Sequence, residues 1–293
     1  MSGSSLPDRW LVASIPKPAD PIEGELLVEA LRDLAPRGVE ELDDRFIVYL
    51  PEPEGGESAL RVDIARRLAG VFGPEPPVLD LHWQAHEAWE ETWRRGIEPR
   101  RVTPRILVTP SWADPPAEEG ALLITIDPGM AFGTAEHPTT RGSLRLLDGA
   151  LAPGERIADI GAGSGILSIA AARLGAASVL AVELDEWSCT TARENLALNG
   201  VEDRVEVRHI AVGPDFLPDE APFDGILANI ESGILESLLR GFASGLRSGG
   251  WLILSGILED EVASIVAAAA EEGFELERED REGGWWSGRF RGP

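Results

Sequence analysis

The sequence predicts an α/β protein with two domains, a small α+β domain followed by a larger domain built on a mostly parallel sheet. Three observations indicate this fold class. Short apolar segments near the N-terminus alternate in the order β-α-β-β-α-β. From about residue 138 onward, near-continuous apolar strands alternate with helical segments, which is typical of a parallel sheet covered on both faces. The last two apolar runs meet at Gly283 and Gly284, as in a hairpin that adds an antiparallel edge.

The first domain is expected to span residues 1–84. Its helical segments, "GELLVEALRDLA" and "SALRVDIARRLAGVF", carry apolar residues at i, i+3 and i+4, whereas its strands are short and rich in Val, Ile and Leu. A ferredoxin-like split sheet accommodates this order of elements economically. Residues 85–100, which include Trp89 and Trp93 four positions apart, predict a charged helical linker. The larger domain is then expected over residues 101–293, beginning with the strands "RILVTPSW" and "ALLITIDPG".

The composition restricts the class of partner. The chain has 293 residues and a formal net charge of -25. Binding to DNA or to an anionic membrane requires clustered Lys and Arg, so neither partner is expected, and a basic protein or a small molecule fits better. The acidity has a second interpretation, adaptation of the surface to a salt-rich source. The sequence does not indicate an oligomeric state.

Metal and membrane sites are not predicted. The single Cys189 excludes a disulfide within the chain, and the histidines His82, His86, His137 and His209 have no metal-ligand spacing. There is no apolar run of 18 residues and no basic, apolar leader at the N-terminus, so the expected location is the cytoplasm.

The segment "ADIGAGSG" predicts a ligand-binding turn. Asp159 ends a strand, and Gly161, Gly163 and Gly165 follow in a turn that opens a helix, where the backbone can approach a ligand closely. The spacing is D-x-G-x-G-x-G and not the G-x-G-x-x-G of dinucleotide-binding proteins, which disfavours NAD. A carboxylate in front of the turn suits a ligand with an ammonium group, such as the methionine part of S-adenosylmethionine.

Two further polar residues end strands of the same predicted sheet. Glu183 closes "SVLAVELD", where a carboxylate can accept hydrogen bonds from both ribose hydroxyls, although Asp185 lies on the same face and is an alternative. Asn229 closes "FDGILAN", and its amide oxygen can accept a hydrogen bond from an attacking amine. Asn229 could instead cap the following helix, for which Ser232 is a rival.

The stretch "MAFGTAEHPTT", residues 130–140, allows several interpretations by composition alone: a nucleophile or metal site, a phosphate cradle, or a helix start. Together with the residues above, it resembles the class I S-adenosylmethionine-dependent methyltransferases, and more closely the ribosomal protein L11 methyltransferase family. "GMAFGT-x-x-HPTT" is the most specific motif, and "WEETWRRGIEPRRV", "ILVTPSW", "DIGAGSGILSIAAARLGA", "ANIESGIL" and "LILSGIL" are similar to family segments in family order.

The resemblance implies a Rossmann-like catalytic domain with a seven-stranded sheet, preceded by a domain that recognises ribosomal protein L11, free or on the large ribosomal subunit. The implied reaction transfers methyl groups from S-adenosylmethionine to lysine side chains, to the N-terminal α-amine, or to both. It assigns cofactor contacts to Thr140, Gly161, Glu183 and Asn229, and Asn229 is also the predicted catalytic residue, aligning the amine on the methyl carbon. The resemblance further implies that Phe132, Gly133 and Thr134 lie over the cofactor and the incoming amine.

The chain departs from the family pattern at four positions. Ala162 replaces a usual cysteine and Glu183 replaces the commoner aspartate, and neither change alters the expected chemistry much. Ala135 replaces a usual glycine in a loop that can require positive φ, and Glu231 replaces an apolar residue near the expected amine. Glu231 is expected either to help hold a cationic lysine or to face solvent. His137 is expected to fix the shape of the loop, with a general base as the alternative role.

The sequence is also compatible with three other functions. The protein could methylate lysine in a different protein, it could be a non-catalytic module that only binds the cofactor, or it could be an NAD-dependent dehydrogenase.

Overall fold

The computed structural model describes residues 9–18, 27, 39–41, 45–50, 56–73, 80–85, 97–113, 120–127, 131–213 and 216–293. The chain divides into two compact units, Met1–Gly96 and Ile97–Pro293. The first predicted helix, apart from Leu27, and most of the predicted linker lie outside the described residues. None of the helices that the structure describes is long and apolar enough to cross a membrane.

The first unit contains a four-stranded antiparallel sheet with the order β2-β3-β1-β4. The strands are β1 (Arg9–Pro16), β2 (Val39–Glu41), β3 (Arg45–Leu50) and β4 (Asp80–Ala85). Helix α1 (Gly56–Phe72) buries Leu60, Ile64 and Leu68, which are spaced by one turn, in the same apolar core as alternate residues of β1. The full β-α-β-β-α-β arrangement stays a prediction, because it needs the first helix. The ends of the predicted linker are not helical, since Ala85 closes β4 and Arg100 begins a strand.

The second unit begins with a small three-stranded sheet of β5 (Arg100–Arg101), β6 (Ile106–Thr109) and β7 (Leu122–Thr125). Both strands predicted here, β6 and β7, are present, and they are parallel to each other. They form a sheet separate from the large one, which the sequence did not indicate.

The larger sheet has seven strands in the order β10-β9-β8-β11-β12-β14-β13. The first five of these pair in parallel and the last two pair antiparallel, which confirms the predicted mostly parallel sheet with a C-terminal hairpin. The strands are β8 (Arg156–Ile160), β9 (Ser178–Glu183), β10 (Val205–His209), β11 (Phe223–Asn229), β12 (Leu246–Leu258), β13 (Glu275–Glu282) and β14 (Trp285–Arg291).

Helices cover both faces of this sheet. The described helices are α2 (Pro138–Asp148), α3 (Ile166–Leu174), α4 (Glu186–Asn199), α5 (Phe216–Glu220), α6 (Ser232–Gly245) and α7 (Val262–Glu271). Ile157 of β8 packs into a core shared with α2, α3 and α4, whereas its neighbour Ala158 packs into a core shared with α5, α6 and α7. Successive strand residues point to opposite faces, so both faces are apolar and both must be covered.

Two asparagines of α4 join the small sheet to this helix, which packs on the large sheet. The Asn199 amide accepts a hydrogen bond from the Thr125 N–H (2.9 Å) and donates to the Thr125 carbonyl (2.6 Å). The Asn195 amide makes the same pair of bonds with the backbone of Asp127, at 2.9 Å and 3.0 Å. These side chains satisfy backbone groups at the end of β7 and just beyond it, as a neighbouring strand would. They fix the end of β7, after which the chain continues toward the loop of residues 131–137.

Candidate functional site

A cavity of about 710 Å³ lies at the carboxyl ends of β8, β9 and β11. It is lined by Ile160–Gly163 at the end of β8, by residues 182–184 at the end of β9 and by residues 229–231 at the end of β11. In open parallel sheets this edge is the usual place for a ligand, because the connections leave a crevice there. Phe132 and Gly133 of the segment 131–137, here called the pocket loop, also line the cavity.

The glycine turn is built for close backbone approach. Gly161, Gly163 and Gly165 adopt φ values of 76°, 54° and 83°, a region that favours glycine. A Cβ on Gly161 would lie 2.3 Å from Cγ2 of Ile230, and a Cβ on Gly163 would lie 2.5 Å from the Phe132 carbonyl oxygen. The turn therefore requires glycine for both its conformation and its neighbours. Gly165 is not among the cavity-lining residues and instead precedes α3.

Glu183 lies at the cavity and its carboxylate is held by three backbone N–H groups. These are Gly163 (2.9 Å), Leu184 (2.8 Å) and Asp185 (3.0 Å). Asp185, the alternative ribose partner, instead caps α4, since its carboxylate accepts from the Ser188 N–H at 2.7 Å and from the Ser188 hydroxyl at 2.9 Å. The geometry therefore favours Glu183 over Asp185 for contact with a ligand.

Asp159 is fully buried one residue before the cavity lining begins. Oδ2 accepts a hydrogen bond from the Ser168 hydroxyl at 2.6 Å, and Oδ1 is buried with no hydrogen-bond partner. Burial, aided by the charge of Glu183, raises the pKa of Asp159 to about 6 against the opposing Ser168 hydrogen bond. The structure thus places Asp159 behind the glycine turn.

Asn229 lies at the cavity with its amide oxygen buried and without a partner among the described residues. It does not cap α6, because Glu231 occupies the N-cap position and makes no side-chain capping bond. The rival cap, Ser232, is inside the helix and donates its hydroxyl proton to Glu261 at 2.7 Å. A buried amide oxygen without a partner is costly unless a ligand donates to it.

The pocket loop is fixed on one side by the glycine turn. Ser164 donates its N–H to the Phe132 carbonyl at 2.8 Å and its hydroxyl proton to the Gly133 carbonyl. Within the loop, Ala135 has a φ of 66° and is fully buried. The expectation that this position needs positive φ is confirmed, so an alanine holds a conformation that costs about 1–2 kcal/mol for an L-residue.

His137 has a structural role at the end of the pocket loop. Its Nδ1 accepts from the Thr139 N–H as the N-cap of α2, and it lies 2.7 Å from the Thr139 hydroxyl oxygen. The imidazole packs edge-on against Phe132 and Trp285, with ring centroids 5.1 Å and 4.8 Å away. Burial, with the nearby charge of Arg141, lowers the pKa of His137.

Two predicted threonines do not line the cavity. Thr134 accepts a hydrogen bond from the Glu136 N–H at 3.4 Å, within the pocket loop. Thr140 is fully buried in the first turn of α2, and its hydroxyl oxygen has no hydrogen-bond partner among the described residues. Thr139, its neighbour, lines the cavity instead.

Sequence reasoning missed several lining residues. Trp285 reaches the cavity from the hairpin, and Ile210, Ala211 and Val212 reach it from the segment after β10. The strand-end rule that found Glu183 and Asn229 also covers the end of β10, so that segment carried a usable signal. No sequence pattern indicates that Trp285 lines the cavity, because its position depends on how the hairpin folds back onto the sheet.

The charged groups at the cavity are acidic. Glu183 and Glu231 line it, and none of the described lining residues is Lys or Arg. The remaining surface is mostly apolar, including Ile166, Leu184 and Ile234. An acidic, apolar cavity suits a ligand that combines a flat apolar group with positive charge.

Known proteins of one family are similar to this chain in sequence and in structure. The family model for "Ribosomal protein L11 methyltransferase (PrmA)" matches residues 66–291. A ribosomal protein L11 methyltransferase of Desulforamulus reducens is 36% identical over 82% of this chain and 76% of its own. One from Pelotomaculum thermopropionicum is 38% identical over 81% of this chain and 76% of its own. A crystal structure of ribosomal protein L11 methylase from Lactobacillus delbrueckii subsp. bulgaricus is 34% identical, with a TM-score of 0.61, and the match covers 67% of this chain and all of that one.

Proposed function

The chain belongs to the ribosomal protein L11 methyltransferase family, and from this membership we propose that it transfers methyl groups from S-adenosylmethionine to amino groups of ribosomal protein L11. The observation that carries the proposal is the buried, unpartnered amide oxygen of Asn229 in an acidic cavity at the carboxyl ends of β8, β9 and β11. A hydrogen-bond acceptor in such a place suits an amine donor.

The residues present fit S-adenosylmethionine. Gly161 and Gly163 leave room where a Cβ would fill the turn, and the Glu183 carboxylate at the next strand end can accept from ribose hydroxyls. Leu184 and Ile210 provide apolar surface for a flat ring. When bound, the cofactor supplies a methyl group on a positively charged sulfur, which an amine can displace.

Four predicted cofactor contacts do not line the cavity, and we assign them a supporting role: Thr134, Thr140, Asp159 and Gly165. Asp159 is joined to Ser168 at the start of α3, and with Gly165 it sets the position of the glycine turn. Thr140 brings a buried hydroxyl to the start of α2, next to Thr139 at the cavity.

The chain's own contribution to the reaction is alignment of the acceptor nitrogen. A lysine amine has a pKa near 10.4 in water, and an apolar cavity lowers it by disfavouring the charged form. Asn229 Oδ1 then accepts a hydrogen bond from the neutral amine and directs its lone pair, a contribution of position. Phe132 and Gly133 exclude water from above, and the proton of the amine passes to solvent.

We assign recognition of L11 to the N-terminal domain, residues 1–84, with residues 85–100 as a linker and residues 101–293 as the catalytic domain. The strand order β2-β3-β1-β4 and the packing of α1 support a ferredoxin-like fold for the first domain. A net charge of -25 suits a basic protein as substrate.

Substitution of Asn229 tests the role of the site. Asn229→Ala is expected to lower kcat for L11 methylation by roughly 100-fold, since alignment of reacting groups contributes on this scale. Asn229→Asp keeps an oxygen at the same position and is expected to retain more activity than the alanine variant. Wild-type kcat in Asn229→Ala, measured at saturating cofactor, would contradict the assignment.

A further inference from the structure

We infer, given the proposed function, that Glu282 in the C-terminal hairpin is a positioning residue that sets the pocket loop through Arg141. Glu282 is the last residue of β13, where its backbone pairs with that of the cavity-lining Trp285. Its side-chain carboxylate accepts the described hydrogen bonds from Arg141 and Arg145, neither of which lines the cavity. The action of the carboxylate on the cavity therefore passes through the arginine that it holds.

Arg141 joins the pocket loop to the hairpin. One terminal nitrogen donates to the Ala135 carbonyl at 2.9 Å and to the Glu136 carbonyl. Its Nε and its other terminal nitrogen donate to Oε1 of Glu282 at 3.0 Å and 2.6 Å. The guanidinium is planar, so fixing one edge on the carboxylate fixes the direction of the other edge toward the loop.

Glu282 is itself held in place. Its Oε2 accepts from Arg145 at 2.7 Å, and Arg145 is anchored in turn by Asp280, with Nε 2.7 Å from Oδ2. Hydrogen bonds from Arg141 and Arg145 hold the pKa of Glu282 near 2, so the carboxylate stays ionised at neutral pH. The clamp is thus a network of side chains, Arg141, Glu282, Arg145 and Asp280, and not a single ion pair.

The pocket loop needs such a clamp. Ala135 holds an unfavourable φ, and Phe132 is 56% exposed, so its side chain contributes little burial to hold the loop down. The glycine turn holds residues 132 and 133 through Ser164, and the two carbonyls that Arg141 contacts lie at the opposite end of the loop. Without Glu282, Arg141 can turn toward solvent, and the strained end of the loop is released.

The chain offers a closely matched control. Glu277, on the same strand, accepts from Arg289 Nε at 3.2 Å and from its terminal nitrogen at 2.6 Å, and Arg289 also donates to a backbone carbonyl, that of Gly149. Glu277→Gln therefore removes an equivalent carboxylate from the hairpin without contact to the pocket loop.

The test measures hydrogen exchange of a peptide covering the pocket loop in the full-length protein without ligand. Glu282→Gln is expected to speed exchange there by roughly tenfold relative to wild type. In the wild type, opening of the loop must break a charge-assisted hydrogen bond, and in the variant that bond is already absent. Glu277→Gln is expected to leave it unchanged. Equal exchange in the two variants would overturn the inference. Glu282→Asp, which keeps the charge, carries the same comparison if the glutamine variant does not fold.

A second measurement tests whether Glu282 acts through Arg141. In an Arg141→Lys background, Glu282→Gln is expected to add little further exchange, because the planar link is already lost. Additive effects would contradict the proposed route. Calorimetry with S-adenosylhomocysteine is expected to show weaker binding in Glu282→Gln than in Glu277→Gln, because the apparent Kd is the intrinsic Kd divided by the fraction of time the loop is closed. If the wild-type protein does not bind S-adenosylhomocysteine, the result counts against the proposed function. The comparison of hydrogen exchange in the Glu282 and Glu277 variants still tests the clamp in that case.

Discussion

Replacing Gly163 by alanine should damage the cavity far more than the same change at Gly200. Both glycines have positive φ, 54° and 60°, so alanine pays a similar conformational cost at each position, about 1–2 kcal/mol, partly offset by a less flexible unfolded chain. Gly200 ends α4, and no described atom lies within 4 Å of the Cβ that alanine would add there. The expected net loss for Gly200→Ala is about 1 kcal/mol in the free energy of unfolding.

At Gly163 the added Cβ would lie 2.5 Å from the Phe132 carbonyl oxygen. That oxygen accepts the Ser164 N–H at 2.8 Å, and the Gly163 N–H donates to Glu183 at 2.9 Å. Moving the carbonyl away costs one backbone hydrogen bond, about 1 kcal/mol, so the total loss of stability should be about 2 kcal/mol. The shift also displaces the pocket loop and the Glu183 carboxylate together.

Denaturant unfolding and calorimetry with S-adenosylhomocysteine measure the two effects. Gly163→Ala is expected to weaken binding by at least roughly tenfold, equivalent to about 1.4 kcal/mol, while Gly200→Ala binds as wild type does. If the two variants lose the same stability and bind equally well, the contact between the glycine turn and the pocket loop does not shape the cavity.

Three further predictions concern buried or half-buried residues around the cavity. Because the folded-state pKa of Asp159 is about 6, above its ordinary 3.8, its contribution to stability should fall as pH rises between these values; Asp159→Asn should remove this contribution in urea unfolding and be no less stable at pH 7. A destabilised Asn variant at pH 7 would count against burial as the cause. Ala135→Gly relieves the strain at φ 66° but loses a buried methyl worth about 0.8 kcal/mol, so thermal unfolding should show a change within about 1 kcal/mol. His137→Asn keeps an N-cap, and the shape of its pH–kcat/KM profile should match wild type; loss of an ionisation seen in wild type would make the histidine a base instead.

The parts of the fold that could be predicted follow from local pattern. Apolar runs without alternation indicated a sheet buried on both faces, and the pair Gly283 and Gly284 marked the hairpin. Glu183 and Asn229 could be placed together because the carboxyl ends of parallel strands share one edge. These inferences need only the order of elements.

The parts that could not be predicted depend on distant contacts. Arg141 and Glu282 are far apart in sequence, and either residue alone resembles a solvated surface charge. Asn195 and Asn199 resemble ordinary polar positions on a helix until β7 is known to run beside them. The position of the buried Asp159 side chain is likewise set by packing, and the motif that contains it does not indicate that position.

The most direct test of the central claim is transfer of labelled methyl groups. The purified protein is incubated with radiolabelled S-adenosylmethionine and either free ribosomal protein L11 or whole ribosomes, and labelled peptides are mapped by mass. We expect label on amino groups of L11 with the wild-type protein and loss of that label with Asn229→Ala. Comparison of the two substrates shows whether free or assembled L11 is used. Label confined to other proteins, or tight binding of S-adenosylhomocysteine with no transfer at all, would contradict the proposed methylation of L11.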